Sequence, residues 1–113
     1  MERSAVPGAQ VVTLAGEIDM AVGEIVAGAF REVVDEGDGP VLVDLASVSF
    51  IDSTSLKLLL NLLRRLTRAG RKLALVAPSP HVKRLLDLTA LSYTFAIYDG
   101  MEEAVAACVP GEG

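Results

Sequence analysis

Two kinds of hydrophobic pattern alternate along the chain. Short runs rich in β-branched and aliphatic residues predict strands at 10–15, 41–45, 73–77 and 94–98. Between these runs, apolar residues recur at intervals of three and four, which predicts amphipathic helices over about 22–33, 54–68, 80–88 and 101–109. Such alternation is typical of an α/β domain whose sheet is largely parallel.

The ends of the predicted elements carry capping and turn residues. Asp19 is suited to cap the first helix, and Ser79 followed by Pro80 is suited to open the third. Gly70 is expected just beyond the end of the second helix. In a parallel sheet, partner and ligand sites lie in the loops that follow the strands, here 16–20, 46–53, 78–80 and 99–100.

Composition places the chain among folded proteins of one domain. Its 113 residues, 51% hydrophobic and 22% charged, exclude intrinsic disorder and suffice for one buried core. The core is expected within about 11–108, with 1–9 forming a tail or a short edge strand and 110–113 a tail. Neither a signal peptide nor an apolar run of about 20 residues is visible. A cytoplasmic domain without direct membrane insertion is therefore expected.

Acidic and basic residues are unevenly distributed. The net charge is −5, which argues against nucleic acid as a partner. Segment 57–84 nevertheless holds eight of the ten basic residues and no Asp or Glu, so the remainder of the chain carries a net charge of −13. These charges are either solvated helix faces or a means of orienting a partner.

Catalytic and metal-binding chemistry has little support in the sequence. The single His81 and the single Cys108 cannot form a convincing transition-metal site of nitrogen and sulfur ligands, and Cys108 is expected to be buried and inert. No glycine-rich phosphate motif and no G-x-S-x-G nucleophile motif is present. The chain is therefore expected to be no enzyme and to need no metal or cofactor.

Three hydroxyl residues, Ser53, Thr54 and Ser55, follow Asp52 at the start of the strongest predicted helix. One interpretation is structural: Asp52 or Ser53 caps the helix by accepting hydrogen bonds from its free N–H groups. The other is functional, because a helix N-terminus favours the negative charge that phosphorylation of Ser53 would add. The residues alone leave both interpretations open.

Four short segments resemble one protein family. Asp52-Ser53-Thr54-Ser55-Leu56 is similar to the D-S-[ST]-G-L signature of the STAS domain, in particular that of the bacterial anti-sigma factor antagonists. Residues 16–19, GEID, resemble the family's G-E-[LI]-D, and residues 43–45 resemble its V-D-L strand. Residues 80–86, PHVKRLL, resemble its P-x-V-x-R-[LV]-[LF] helix. The four segments occur in the family's order and spacing over about 11–108.

The resemblance implies both a fold and a regulatory role. The fold would be a single STAS-type domain, an α/β architecture with about four helices packed on a mixed, mostly parallel sheet of four to five strands. Such proteins bind an anti-sigma factor that is also a serine kinase, and so free a sigma factor for transcription. The kinase phosphorylates the serine after the signature Asp, here Ser53, and so ends binding until a phosphatase resets it. ATP and Mg²⁺ belong to the kinase.

A partner-binding surface follows from the resemblance together with the helix pattern. The resemblance places Asp52 beside the phosphate acceptor and Asp19 on the kinase-facing surface. Ser55 stands where the family usually has glycine, which narrows the approach of a partner's backbone and adds a second candidate acceptor. Leu58 and Leu62 widen the apolar arc of the helix, either against helix 80–88 or toward the partner. The expected interface comprises Asp19, Asp52, Ser53, Thr54, Ser55, Leu58 and Leu62.

A second class of function stays open at this stage. A STAS-type module can also act without phosphorylation, as a soluble subunit of a lipid or solute transporter complex. Ser55 in place of glycine leaves room for that role. An enzyme has no support beyond scattered carboxylates, and the residues do not indicate an oligomeric state.

Overall fold

Five strands form one sheet in the order in which they occur along the chain. The computed structural model describes residues 2–109, and each strand pairs with its neighbours in sequence. The first pair is antiparallel and the other three pairs are parallel. The strands are β1 Glu2–Val6, β2 Ala9–Ile18, β3 Val41–Ile51, β4 Leu73–Val76 and β5 Ala96–Tyr98.

One helix follows each of the parallel strands. The helices are α1 Gly23–Glu36, α2 Ser53–Arg68, α3 Pro80–Leu88 and α4 Met101–Cys108, and a short 3-10 turn spans Leu91–Tyr93. The predicted α/β fold with a mixed, mostly parallel sheet is thereby confirmed.

The N-terminal segment is an edge strand and not a tail. A turn at Pro7 and Gly8, where Gly8 takes a left-handed φ of +86°, folds residues 2–6 back onto β2. This is the second of the two structures predicted for 1–9. The predicted tail at 110–113 lies outside the described residues.

Alternate residues of the central strands point to opposite faces of the sheet, as the period of two requires. On one face, Val43 of β3 belongs to the core cluster that contains Leu59 of α2 and Val82 of α3. On the other face, Leu42 clusters with Cys108 of α4. Helices therefore cover both faces, which explains why β3 begins as an unbroken apolar run. Within residues 2–109, no helix has the length and apolar character needed to cross a bilayer.

β2 and β3 extend further than the sequence predicts. The predicted strands end at residues 15 and 45, whereas the observed ones reach Ile18 and Ile51. Two register shifts, between Thr13 and Ala15 and between Gly16 and Glu17, interrupt the simple alternation of buried and exposed residues. The segment expected as the loop 46–53 is therefore mostly strand, and α2 begins directly after it at Ser53.

The capping predictions are confirmed for α2 and α3 but not for α1. Ser79 Oγ accepts the Val82 N–H at 3.4 Å at the start of α3, and Gly70 beyond α2 has a left-handed φ of +73°. Helix α1 begins at Gly23 without a side-chain cap. The Asp19 carboxylate instead accepts the Ala21 N–H at 2.9 Å and closes a turn that precedes the helix.

A buried arginine joins three parts of the structure. Arg71, only 7% exposed, donates from Nε to the Gly39 carbonyl at 2.7 Å and from a terminal nitrogen to Gln10 Oε1 at 2.6 Å. The other terminal nitrogen reaches the Val33 and Val34 carbonyls, both at 3.2 Å. Since these carbonyls lie in the last turn of α1 and have no acceptor role within the helix, Arg71 serves as its cap. The sequence showed Arg71 only as one charge of a basic segment.

Candidate partner-binding site at the start of α2

Two adjacent strand ends bring the predicted site residues together. Ile18 and Ile51 are paired at the ends of β2 and β3, so Asp19 and Asp52 leave the sheet side by side. The Asp52 N–H donates to the Ile18 carbonyl at 3.1 Å, which joins the two segments. The topology thus confirms that the segment 16–19 and the signature 52–56 meet at one edge.

Asp52 caps α2. Its backbone is extended, with φ −85° and ψ 165°, and Oδ1 accepts the Ser55 N–H at 2.6 Å. The pKa of the Asp52 carboxyl is lowered, first by the Ser55 hydroxyl nearby, although that hydroxyl falls short of hydrogen-bond geometry, and then by the Ser55 N–H. Because Asp52 supplies the cap, the helix does not need the Ser53 hydroxyl for this purpose.

The three hydroxyl residues differ sharply in exposure. Ser53 and Thr54 are exposed in the first turn of α2. Ser55 is only 3% exposed, and its Oγ has no hydrogen-bond partner within residues 2–109. In this conformation Ser53 is accessible at the surface, whereas the second candidate acceptor, Ser55, is closed off.

The two leucines of the expected interface, Leu58 and Leu62, also differ in exposure. Leu62 is 2% exposed and belongs to the core, so the expectation that it meets a partner is wrong for this conformation. Leu58 is half-buried and lines a cavity of about 240 Å³ between α1 and α2, together with Met20 and Ser55. The widened apolar arc thus faces α1, and not the helix 80–88 that the pattern suggested.

Two exposed apolar residues beside the site were missed at the sequence level. Met20 is 74% exposed in the turn after β2. Phe50 is 38% exposed, and the centre of its ring lies 5.2 Å from that of His81 at the start of α3. In β3, Val48 and Ile51 are buried, whereas Ser49 and Phe50 between them are exposed. Because β3 has one extra residue at this point relative to β2, the exposure of Phe50 does not follow from a simple alternation along the strand.

Comparison with known proteins places this geometry in a family. The model of the STAS domain matches residues 1–104. A Thermotoga maritima protein named as an anti-sigma factor antagonist is 37% identical over 76 residues, 67% of either chain. The anti-sigma-B factor antagonist of Staphylococcus epidermidis is 31% identical over 91 residues, 80% of this chain and 84% of that protein.

Solved structures agree with these sequence matches. The crystal structure of the anti-sigma factor antagonist of Thermotoga maritima superposes with a TM-score of 0.88 at 28% identity, covering 95% of this chain and 92% of that one. SpoIIAA in its phosphorylated form, at 21% identity and a TM-score of 0.73, shares the fold over 94% of this chain and 96% of its own. The strand order, the cap at Asp52 and these matches lead to one conclusion: the chain belongs to the STAS domain family.

Proposed function

We propose that this protein is an anti-sigma factor antagonist that is switched off by phosphorylation of Ser53. Its partner would be an anti-sigma factor that is also a serine kinase, and binding would release a sigma factor for transcription. One observation carries the proposal: Asp52 caps α2, which leaves the adjacent Ser53 hydroxyl exposed and free of a structural task. The names of the related proteins support the same role.

The position of Ser53 suits a charge switch. It is the first residue of a 16-residue helix, where free N–H groups and the helix dipole favour negative charge. A phosphate there would add about −1.5 to −2 charges. The neighbouring Asp52 carboxylate is already ionised, so the surface that a partner meets would become strongly negative. The fold can hold that charge while the partner would be repelled.

The kinase-facing surface is built from residues around this corner. It would combine the polar residues Asp19, Asp52, Ser53 and Thr54 with the half-buried Leu58. The exposed side chains of Met20 and Phe50 flank these residues and supply apolar area that a partner could cover. Ser55 and Leu62 would support this surface from beneath.

In this role the protein is a regulatory substrate and not an enzyme. ATP and Mg²⁺ would be bound by the kinase, and a phosphatase would remove the phosphate from Ser53. The exchange would take place in the cytoplasm, where sigma factors act.

Phosphosite mapping tests the proposal. Purified protein is incubated with a lysate of its host and Mg²⁺-ATP, beside Ser53→Ala, Ser55→Ala and Thr54→Ala variants, and is analysed by mass spectrometry. We expect one phosphate on Ser53, lost in Ser53→Ala and kept in Thr54→Ala, which removes a neighbouring hydroxyl residue that is also exposed. No phosphate on Ser53, in a lysate that phosphorylates other proteins, would contradict the switch and favour the unphosphorylated transporter-associated module.

A further inference from the structure

A groove between α1 and α2 runs from the Ser53 corner toward the far end of α2. Its near part is the cavity of about 240 Å³ that Leu58, Ser55 and Met20 line. Its far part is a second cavity of about 310 Å³. Ala27 and Leu58 line both cavities, so the two form one continuous depression. From Ser55 to Arg68 the groove follows α2 for about 20 Å.

The far part of the groove is strongly basic. Arg31 of α1 and Arg64, Arg65 and Arg68 of α2 line it, and no described carboxylate does. The three ion pairs formed among residues 2–109 involve Arg3 and Lys83, so the four arginines have no acidic partner there. The dipole of α2 accounts for Arg65 and Arg68 in its last turn. It does not account for Arg31 or Arg64.

We infer that this groove is a docking site for an acidic segment of the partner protein. Four unpaired guanidinium groups form a surface whose complement is a row of carboxylates, which arginine binds in a forked geometry. Because the rest of the chain carries a net charge of −9, this positive face selects acidic partners and sets their orientation. That the segment belongs to the anti-sigma factor rests on the proposed function.

The near part of the groove differs in character from the far part. Met20 and Leu58 give it apolar walls, Glu24 is a carboxylate in its lining, and the Ser55 hydroxyl is closed to solvent. It therefore suits apolar side chains of the docked segment, whose acidic side chains would lie in the basic far part. Thr54, next to Ser53, lines this near part, so a phosphate on Ser53 would lie close to the groove and would repel an acidic segment.

A peptide of known composition tests the groove without the natural partner. The probe is a fluorescent amphipathic peptide of about 13 residues that alternates leucine and glutamate clusters, and its control carries glutamine in place of every glutamate. The double variant Arg31→Gln/Arg64→Gln removes one arginine from each helix outside the last turn of α2. Lys57→Gln/Arg84→Gln removes the same charge from exposed positions outside the groove.

We expect the acidic peptide to bind the wild type at low salt and to shift the backbone NMR signals of Ala27, Asn61 and their neighbours. Affinity should fall about fivefold or more in the groove variant and change less than about twofold in the control variant. The inference is overturned if the peptide does not bind, if the glutamine peptide binds equally well, or if both variants lose affinity alike. No kinase or phosphate takes part, so such a failure would leave the Ser53 proposal untouched.

Discussion

Asp52 accepts a hydrogen bond from the N–H of Ser55 through Oδ1 at 2.6 Å. Because of this bond, the residues of the signature segment have different roles. The carboxylate holds the start of α2, the side chain of Ser55 turns into the protein, and Ser53 is left at the surface. A structural task and a regulatory task can therefore occupy adjacent residues without competing.

The first prediction concerns the pH dependence of this cap. The pKa of Asp52 is lower in the folded protein than in the unfolded chain, so its contribution to stability is present above the unfolded pKa and is lost as pH falls through the folded pKa. Asp52→Ala should lower the melting temperature at neutral pH and flatten its decline in acid. Asp52→Asn should retain the cap but share the flat profile. Thermal unfolding followed by circular dichroism between pH 2 and 7 gives the melting temperatures of the wild type and of both variants. If the melting temperature of Asp52→Ala falls in acid as steeply as that of the wild type, Asp52 is not the group that makes stability depend on pH.

A second prediction concerns Ser53 and the partner. Ser53→Ala should bind the host's serine-kinase anti-sigma factor persistently in the presence of ATP, whereas Ser53→Asp should fail to bind, because the added charge lies at the centre of the proposed surface. Both variants should unfold within about 1 kcal/mol of the wild type, since the position is exposed and a helix N-terminus favours an acidic residue. Surface plasmon resonance with the purified kinase measures the affinity of each variant. Equal binding by both variants would exclude the switch.

A third prediction concerns the unpartnered hydroxyl of Ser55. Removing the Ser55 Oγ, which is buried without a hydrogen bond among the described residues, favours the fold, whereas the loss of its effect on the Asp52 carboxylate disfavours it. Ser55→Ala should therefore change the free energy of unfolding by less than about 1 kcal/mol. Ser55→Gly should lower it, by roughly 0.5–1 kcal/mol, through the backbone entropy of glycine in a helix. Urea denaturation gives both values. A clear loss of stability in Ser55→Ala would show that the hydroxyl already has a partner in the free protein.

The fourth prediction concerns the buried Arg71. Arg71→Met removes the donors to four carbonyl oxygens, three of the backbone and one of a side chain. The free energy of unfolding should therefore fall by about 2–4 kcal/mol. Arg71→Lys should recover only part of this loss, because one ammonium group cannot reach acceptors on three segments. Arg84→Met, at an exposed position, serves as the control and should stay within about 0.5 kcal/mol of the wild type. If Arg71→Met matches that control in urea denaturation, the proposed cap of α1 has no energetic weight.

The sequence alone determined the order of elements and the place of the signature. Local rules of periodicity and capping, which act over a few residues, account for several of these elements. They explain the leucine repeat of α2, the apolar runs of β3 and β4, and the start of α3 at Ser79 and Pro80. Three of the four family segments, 16–19, 52–56 and 80–86, lie at or just after the ends of β2, β3 and β4, because in a parallel sheet successive loops share one edge, and the fourth, 43–45, lies within β3.

Only the tertiary structure decided which residues of that edge are accessible. At each of the two register shifts β3 has one residue more than β2, which breaks the period of two in β3. The lengths of β2 and β3 and the exposure of Phe50 therefore depend on pairing between strands that lie far apart in the sequence. The burial of Leu62 and Ser55 depends on α1, which covers one side of α2. Likewise Arg71 caps carbonyls of α1 that lie 37 and 38 residues before it in the sequence. Local patterns determine which elements form, whereas long-range packing determines which of their side chains a partner can reach.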